Sequence, residues 1–354
     1  MNMPDSTSLI AVALSGGVDS AVAAALLQQQ GHQLVGITMN LLPDAAVDNA
    51  AEQVAEHLGI PLHRIDLTAA FEQQVITPFV TCYLNGETPN PCVRCNRLVK
   101  FGLLLEQAHK LGAGRLATGH YARVQRDADG RAHLHAAVDR RKDQSYFLAA
   151  IGQEALQQTL FPLGEMSGKE QVRQLARDFG LPVAAAKDSQ DVCFLPDSGY
   201  GEFLEARMTH PVAQGLIVHR SGRLLGRHNG FWRYTVGQRK GLGIAWSEPL
   251  YVLEISAARN RVVVGEQQYL YAPGLLADQA VWFGQEPCEP FEAHCKIRYR
   301  HAPVPCLVEP QDGAGMRVLF HEQQRAVTPG QTVVMYQGDE VLGAGRITGA
   351  ELPC

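Results

Sequence analysis

Residues 9–30 read LIAVALSGGVDSAVAAALLQQQ, and this stretch decides the fold. Leu9 to Leu14 form an apolar run of strand length, and Ala21 to Gln30 carry a helical pattern. Between them stand Ser15, Gly16, Gly17, Val18, Asp19 and Ser20. Two glycines at a strand-to-helix turn let backbone amides approach an anion, and the helix N-terminus adds its dipole and unpaired N–H groups. The loop has neither a Walker lysine nor GxGxxG, so it fits neither a γ-phosphate-hydrolysing P-loop nor a dinucleotide turn. A phosphate cradle is the expectation, and an ordinary tight turn the alternative.

Outward from this unit the rhythm continues with QLVGITM, VDNAAEQVAEHLG and PLHRIDL. A helix follows near Asn96 to Leu111, a strand at Arg115 to Thr118 and a helix over Lys169 to Phe179. Alternating strands and helices predict an α/β fold with an open parallel sheet, which binds ligands beyond its strands' carboxyl ends. The rhythm fades near residue 205. Short Gly-punctuated strands then predict a small mixed domain over 206–270. FEAHCKIRYR, GMRVLFHE, QTVVMY and GAGRIT predict a C-terminal all-β barrel over 271–354, leaving 1–205 as the catalytic domain.

The chain has 354 residues, 46% of them apolar and 19% charged, which excludes disorder, collagen and coiled coil. The stretch from Leu9 to Leu27 is too interrupted by polar residues and glycines to span a membrane. With eight scattered cysteines and no signal-peptide pattern, the expectation is a cytoplasmic protein, by default a monomer. Net charge is 31 minus 36, or −5, which argues against global attraction to nucleic acid. The sum conceals segregation. Residues 206–247 hold Arg207, Arg220, Arg223, Arg227, Arg233, Arg239 and Lys240 with no Asp or Glu, so the remainder carries −12. Phe231, Trp232 and Tyr234 interleave with these cations as stacking on RNA requires; a solvated basic face over core aromatics is the alternative.

Asn90-Pro91-Cys92-Val93-Arg94-Cys95-Asn96 opens a helix, with Pro91 suited to the first turn. The dipole, Arg94, Arg97 and Lys100 are expected to lower the thiol pKa values. Zinc would need a partner motif that is absent. A third thiol, Cys193, follows in DSQDVCF.

SGGVDS resembles the signature of PP-loop ATP pyrophosphatases, which split ATP between the α and β phosphates. Together with TPNPCVRCN, TGHYAR (118–123), KDQSYFL (142–148), SQDVCF and GFWRYTVGQRKGLGI (230–244), it follows the motif order of bacterial tRNA-uridine 2-sulfurtransferases, the tRNA 2-thiouridylases. That resemblance implies ATP and Mg²⁺, with Ala13, Leu14, Ser15, Gly16, Gly17, Val18, Asp19, Ser20, Met39 and Gly119 around the nucleotide. It implies Cys193 as persulfide carrier and Cys95 as partner nucleophile, able to close a Cys95–Cys193 disulfide. Asn90, Pro91 and Cys92 would lie beside the target base, and His120, Lys142, Asp143, Gln144, Arg298, Tyr299 and Gln331 against tRNA. The implied reaction is thiolation of C2 of the wobble uridine, U34, fed by a persulfide donor protein such as a sulfur relay or cysteine desulfurase.

Two departures from the family pattern stand out. Many members carry Asp where this chain has Cys92, and a cysteine pair that many relatives have after the second strand is missing from LLPDAAVDN. Cys92, Cys95 and Cys193 are also enough thiolates for a [4Fe–4S] cluster with one open iron, a competing sulfur route. Remoter alternatives are a PP-loop ligase that amidates a small molecule and a non-catalytic tRNA-binding protein. In the segment 291–300, alternation sends Phe291, Ala293, Cys295, Ile297 and Tyr299 to one face, with a basic stripe opposite.

Overall fold

Strand β1 (Ile10–Ala13) is buried almost throughout, as a central strand covered on both faces must be. It pairs in parallel with β2 (Leu34–Asn40) and β4 (Arg115–Ala117), Val12 standing opposite Gly36 on one side and Ala117 on the other. With β3 (Leu62–Asp66) and β7 (Thr159–Leu160) at the edges, the parallel sheet runs β3-β2-β1-β4-β7. The computed structural model describes residues 9–43, 49–184, 192–196, 199–208 and 213–351. Part of LLPDAAVDN and the Ser189–Asp191 portion of SQDVCF lie outside the described residues.

Helix α1 (Val18–Gln29) buries Ala21, Ala23, Ala24 and Ala25, small side chains that let it lie close to the sheet. It packs with α2 (Ala50–Leu58) and α9 (Lys169–Asp178). On the sheet's other side a helical run comprises α3 (Thr68–Phe71), a π-helical turn over Glu72–Ile76 and α4 (Thr77–Leu84). A second run joins α5 (Pro91–Cys95), a π-helical segment over Asn96–Leu104 and α6 (Leu105–Lys110). Helices α7 (Ser145–Leu148), α8 (Gln153–Gln157) and α10 (Tyr200–Glu205) are short.

The middle of the chain forms a mixed four-stranded sheet ordered β10-β11-β8-β9, from β8 (Gly215–His219), β9 (Leu224–His228), β10 (Leu250–Ser256) and β11 (Arg261–Glu266). The last unit is an antiparallel barrel of β12 (Tyr271–Trp282), β13 (Phe291–Lys296), β14 (Val304–Gln311), β15 (Gly315–Arg325), β16 (Thr332–Gln337) and β17 (Glu340–Glu351). Pairing of β12 with β17 closes it. The expected fold class is therefore met.

One connection is invisible to the periodicity. A hairpin of β5 (Ala122–Arg126) and β6 (Ala132–Ala136) leaves the first unit and adds to the barrel, with His135 of β6 opposite Glu340 of β17. Strand β13 also stops at Lys296, so Ile297 to Arg300 form a turn rather than the end of a ten-residue strand. Its alternation holds up to there: Ala293 and Cys295 are buried, Glu292 and His294 exposed. Among the described residues no helix is long and apolar enough to cross a membrane.

Candidate active site

Strand order reverses between β1 and β4, and the loops after both strands meet there, at the kind of crevice where open α/β sheets take their ligands. In the first loop Gly16 has φ +76°, a conformation that suits glycine, and Gly17 begins α1 with extended backbone. No side chain caps α1, so its first-turn amides are left for an anion. Ser20 Oγ donates to Gly17 O at 3.0 Å, accepts from Ser15 N at 3.2 Å and lies 3.3 Å from Ser15 Oγ, which curls the loop around that end. In the second loop Gly119 has no room for a side chain: a Cβ there would stand 2.7 Å from Asp19 C and Ser20 N. Met39 lies half-buried near the end of β2.

Asp19 has partners that sequence reasoning missed. Lys169 Nζ, from the first residue of α9, sits 2.8 Å from both carboxylate oxygens, and Tyr121 Oη donates to Oδ1 at 2.7 Å. Tyr121 lies in the quoted TGHYAR motif, but nothing local marks a lysine 150 positions away.

The thiols are placed by packing. Asn90 caps α5 by accepting from Val93 N at 3.3 Å, and Pro91 takes the first helical position. Cys95 is buried, while Cys92 and Cys193 keep exposed surface. Phe194, beside Cys193, is wedged between Phe71, Phe79 and Phe203 at ring separations of 5.1–5.7 Å. Cys193 thereby comes within electrostatic reach of both Cys92 and Cys95.

The expected drop in thiol pKa is corrected by the surroundings. Burial pushes Cys92 and Cys193 above the ordinary value and Cys95 up to about 11, and the neighbouring sulfurs add to the rise at Cys92 and Cys95. Lys100 is the cation that opposes this at all three. Arg94 instead donates to Gln74 O. Among the described residues no three His, Cys, Asp or Glu side chains converge to hold a single metal ion.

The residues expected to meet tRNA gather at the seam between sheet unit and barrel, several of them facing inward. Asp143 is 3% exposed and accepts from Ala137 N, Ser145 N and Ser145 Oγ, which departs from an RNA-facing role. Gln144 Oε1 accepts from Tyr121 N at 2.9 Å, and Lys142 is half-buried. His120 packs against Phe101 and Phe161 and bonds Thr118 Oγ1 at 2.7 Å; burial and then Lys100 hold its pKa well below the ordinary value. Arg298 Nη2 donates to Arg325 O and Ala326 O at 2.5 Å, so its guanidinium serves the barrel backbone rather than an open stripe. Lys296 turns toward Asp143, 3.8 Å away, and Tyr336. Tyr299 packs against Phe147 with ring centroids 4.5 Å apart and the planes tilted by 39°. Gln331 Nε2 donates to Thr88 O at 2.8 Å and Pro89 O at 3.3 Å, tying the barrel to the strap before α5.

The basic middle stretch is also corrected. Phe231 and Trp232 are 4% and 3% exposed and belong to the core that holds Cys95 and Phe194, so neither is an RNA platform. Arg233 pairs with Glu205, and Arg207 lies 4.0 Å from Glu72.

Comparison with known proteins follows this division. Residues 8–197 match a family model described as tRNA methyl transferase HUP domain, 201–266 a tRNA methyl transferase PRC-barrel domain and 272–347 an aminomethyltransferase beta-barrel domain. The chain is similar to the tRNA-specific 2-thiouridylase MnmA of Pelobacter propionicus, 57% identical over 96% of this chain and 98% of that one. Its likeness to the protein of the same name in Trichlorobacter lovleyi is 55% over 97% and 98%. A solved 4-thiouridine synthetase–RNA complex with bound ATP is similar over 52% of this chain and 44% of that one, at 18% identity and TM-score 0.37.

Proposed function

The chain belongs to the tRNA-specific 2-thiouridylases, sulfurtransferases that act on tRNA, and from that premise we propose that it uses ATP to thiolate C2 of the wobble uridine, U34. Oxygen at C2 is a poor leaving group. Adenylation of that oxygen makes AMP the leaving group, and the uncapped end of α1 with the Ser15–Ser20 loop offers the amides to bind the pyrophosphate released. Mg²⁺ enters with the phosphates. Lys169 and Tyr121 hold Asp19 in place at the loop.

Cys193 carries the persulfide and Cys95 is its partner. The terminal sulfur of Cys193–S–SH leaves as sulfide and bonds C2, the C2–O bond breaks toward AMP, and the Cys95 thiolate supplies the electron pair by closing a disulfide with Cys193. An external thiol then reduces that disulfide. The observation that carries this reading is that Cys193 lies within electrostatic reach of Cys95, 98 positions away, in a chain that also has the phosphate loop. Lys100, beside all three thiols, favours the thiolates the chemistry needs. Methyl transfer, the chemistry in the family models' wording, has no use for a phosphate loop or a persulfide pair. A persulfide donor protein supplies the sulfur, and the enzyme acts as a cytoplasmic monomer.

The test is mass spectrometry of tRNA nucleosides from cells lacking the gene. We expect loss of 2-thiouridine derivatives with methylated uridines unchanged; intact thiolation overturns the proposal.

A further inference from the structure

We infer that the tip of the β8–β9 hairpin in the central unit is a phosphate-binding contact for the tRNA backbone. The inference rests on the tRNA reading above and adds a surface that the thiol site and the barrel seam do not include. The tip is Arg220-Ser221-Gly222-Arg223, with Gly222 at φ +89°, and all four residues are exposed.

Its two arginines are held by rings. The Arg220 side chain crosses β11 at Gly265, where an added Cβ would stand 3.3 Å from Arg220 Cδ, and its guanidinium lies 3.5 Å over Tyr269. The Arg223 guanidinium lies 5.2 Å over Trp246, whose indole stacks on His219 at 5.0 Å and 27°. Glu266, the carboxylate next to this stack, accepts from Trp246 Nε1 at 3.4 Å and faces His219 Nε2 at 3.2 Å. Among the described residues no carboxylate pairs with Arg220 or Arg223, whereas Arg207 and Arg233 of the same stretch are each matched by a glutamate.

The tip therefore presents two preoriented, unneutralised guanidiniums. A ring face beneath each guanidinium attracts the cation and limits its freedom, and a guanidinium fork matches two phosphate oxygens. Such a surface suits a polyanionic backbone. A protein partner would instead be expected to cover the apolar surface of Tyr269, which is 40% exposed but already shared with Arg220.

Binding of a tRNA transcript to the full chain, measured by fluorescence anisotropy across a salt series, tests this. For the double variant Arg220→Ala/Arg223→Ala we expect roughly tenfold weaker binding at low salt and a salt slope shallower by about two, one per lost phosphate contact. Arg220→Lys/Arg223→Lys keeps the charge and should restore most of the slope, which a merely misfolded hairpin would not. Equal affinity and slope in the alanine variant overturn the inference. So does unchanged tRNA binding with slower sulfur uptake from a donor protein, which would make the tip a protein dock. Absence of tRNA binding by the wild-type chain would refute the functional reading itself, a distinct result.

Discussion

Helices α1 and α5 both open at a site, yet their N-termini are put to opposite uses. At α1 no side chain intrudes, the glycines fold the backbone back, and the amides stay open. At α5 Asn90 takes one amide and Pro91 has none to give, so the helix end is already satisfied before a thiol can draw on it. Burial then outweighs the charge of Lys100, and the thiols rise in pKa where the local sequence points to a fall. A helix end is an anion site only where its donors are left unmet and its charge is not offset by desolvation.

The most severe test of this contrast separates the two ends. Cys193→Ser should cut thiolation by at least about a thousandfold while ATP–pyrophosphate exchange persists; product formed at the wild-type rate would remove the persulfide carrier. Asp19→Ala should lower exchange by about a hundredfold or more, and Lys169→Met by about tenfold, because the loop end then loses its fixed charge pair. Near-normal exchange in both would mean that the α1 amides suffice alone.

Lys100→Met acts on the other end. Removing the cation that holds the thiol pKa values down must raise them, so less thiolate exists at a given pH and the rising limb of the thiolation profile moves to higher pH. A loss of about three- to tenfold near pH 7, fading at alkaline pH, is expected in a pH–rate series; an unmoved limb would show that Lys100 does not tune the thiols. The smallest effect should come from Asn90→Ala, which uncaps α5 at a cost of about 1 kcal/mol in urea unfolding. A neutral result would show that the two helix ends differ less than their hydrogen bonds imply.

The parts of the molecule most legible in sequence are those set by the backbone. Two glycines between an apolar run and a helical pattern announce the loop, strand alternation announces the barrel, and Phe291 to Lys296 face as their periodicity says. Side-chain partnerships across the chain are not legible. Lys169 reaches Asp19 because α9 packs on α1, and no local pattern encodes that meeting. Phe231 and Trp232, interleaved with cations, read as stacking platforms, and only the packing around Phe194 shows them to be core. The same limit explains Arg298, a charge that the alternation sets on an open face and the barrel turns onto two carbonyls.

The strand that ties the first unit to the barrel also has a consequence in time. His135 of β6 meets Glu340 of β17, a partner 205 positions later in the chain, so during synthesis the β5–β6 hairpin leaves the ribosome with its outer edge unmatched. At about 5–20 residues per second that edge stays open for roughly 10–40 seconds, long enough for a nascent chain to need protection from pairing with a neighbour.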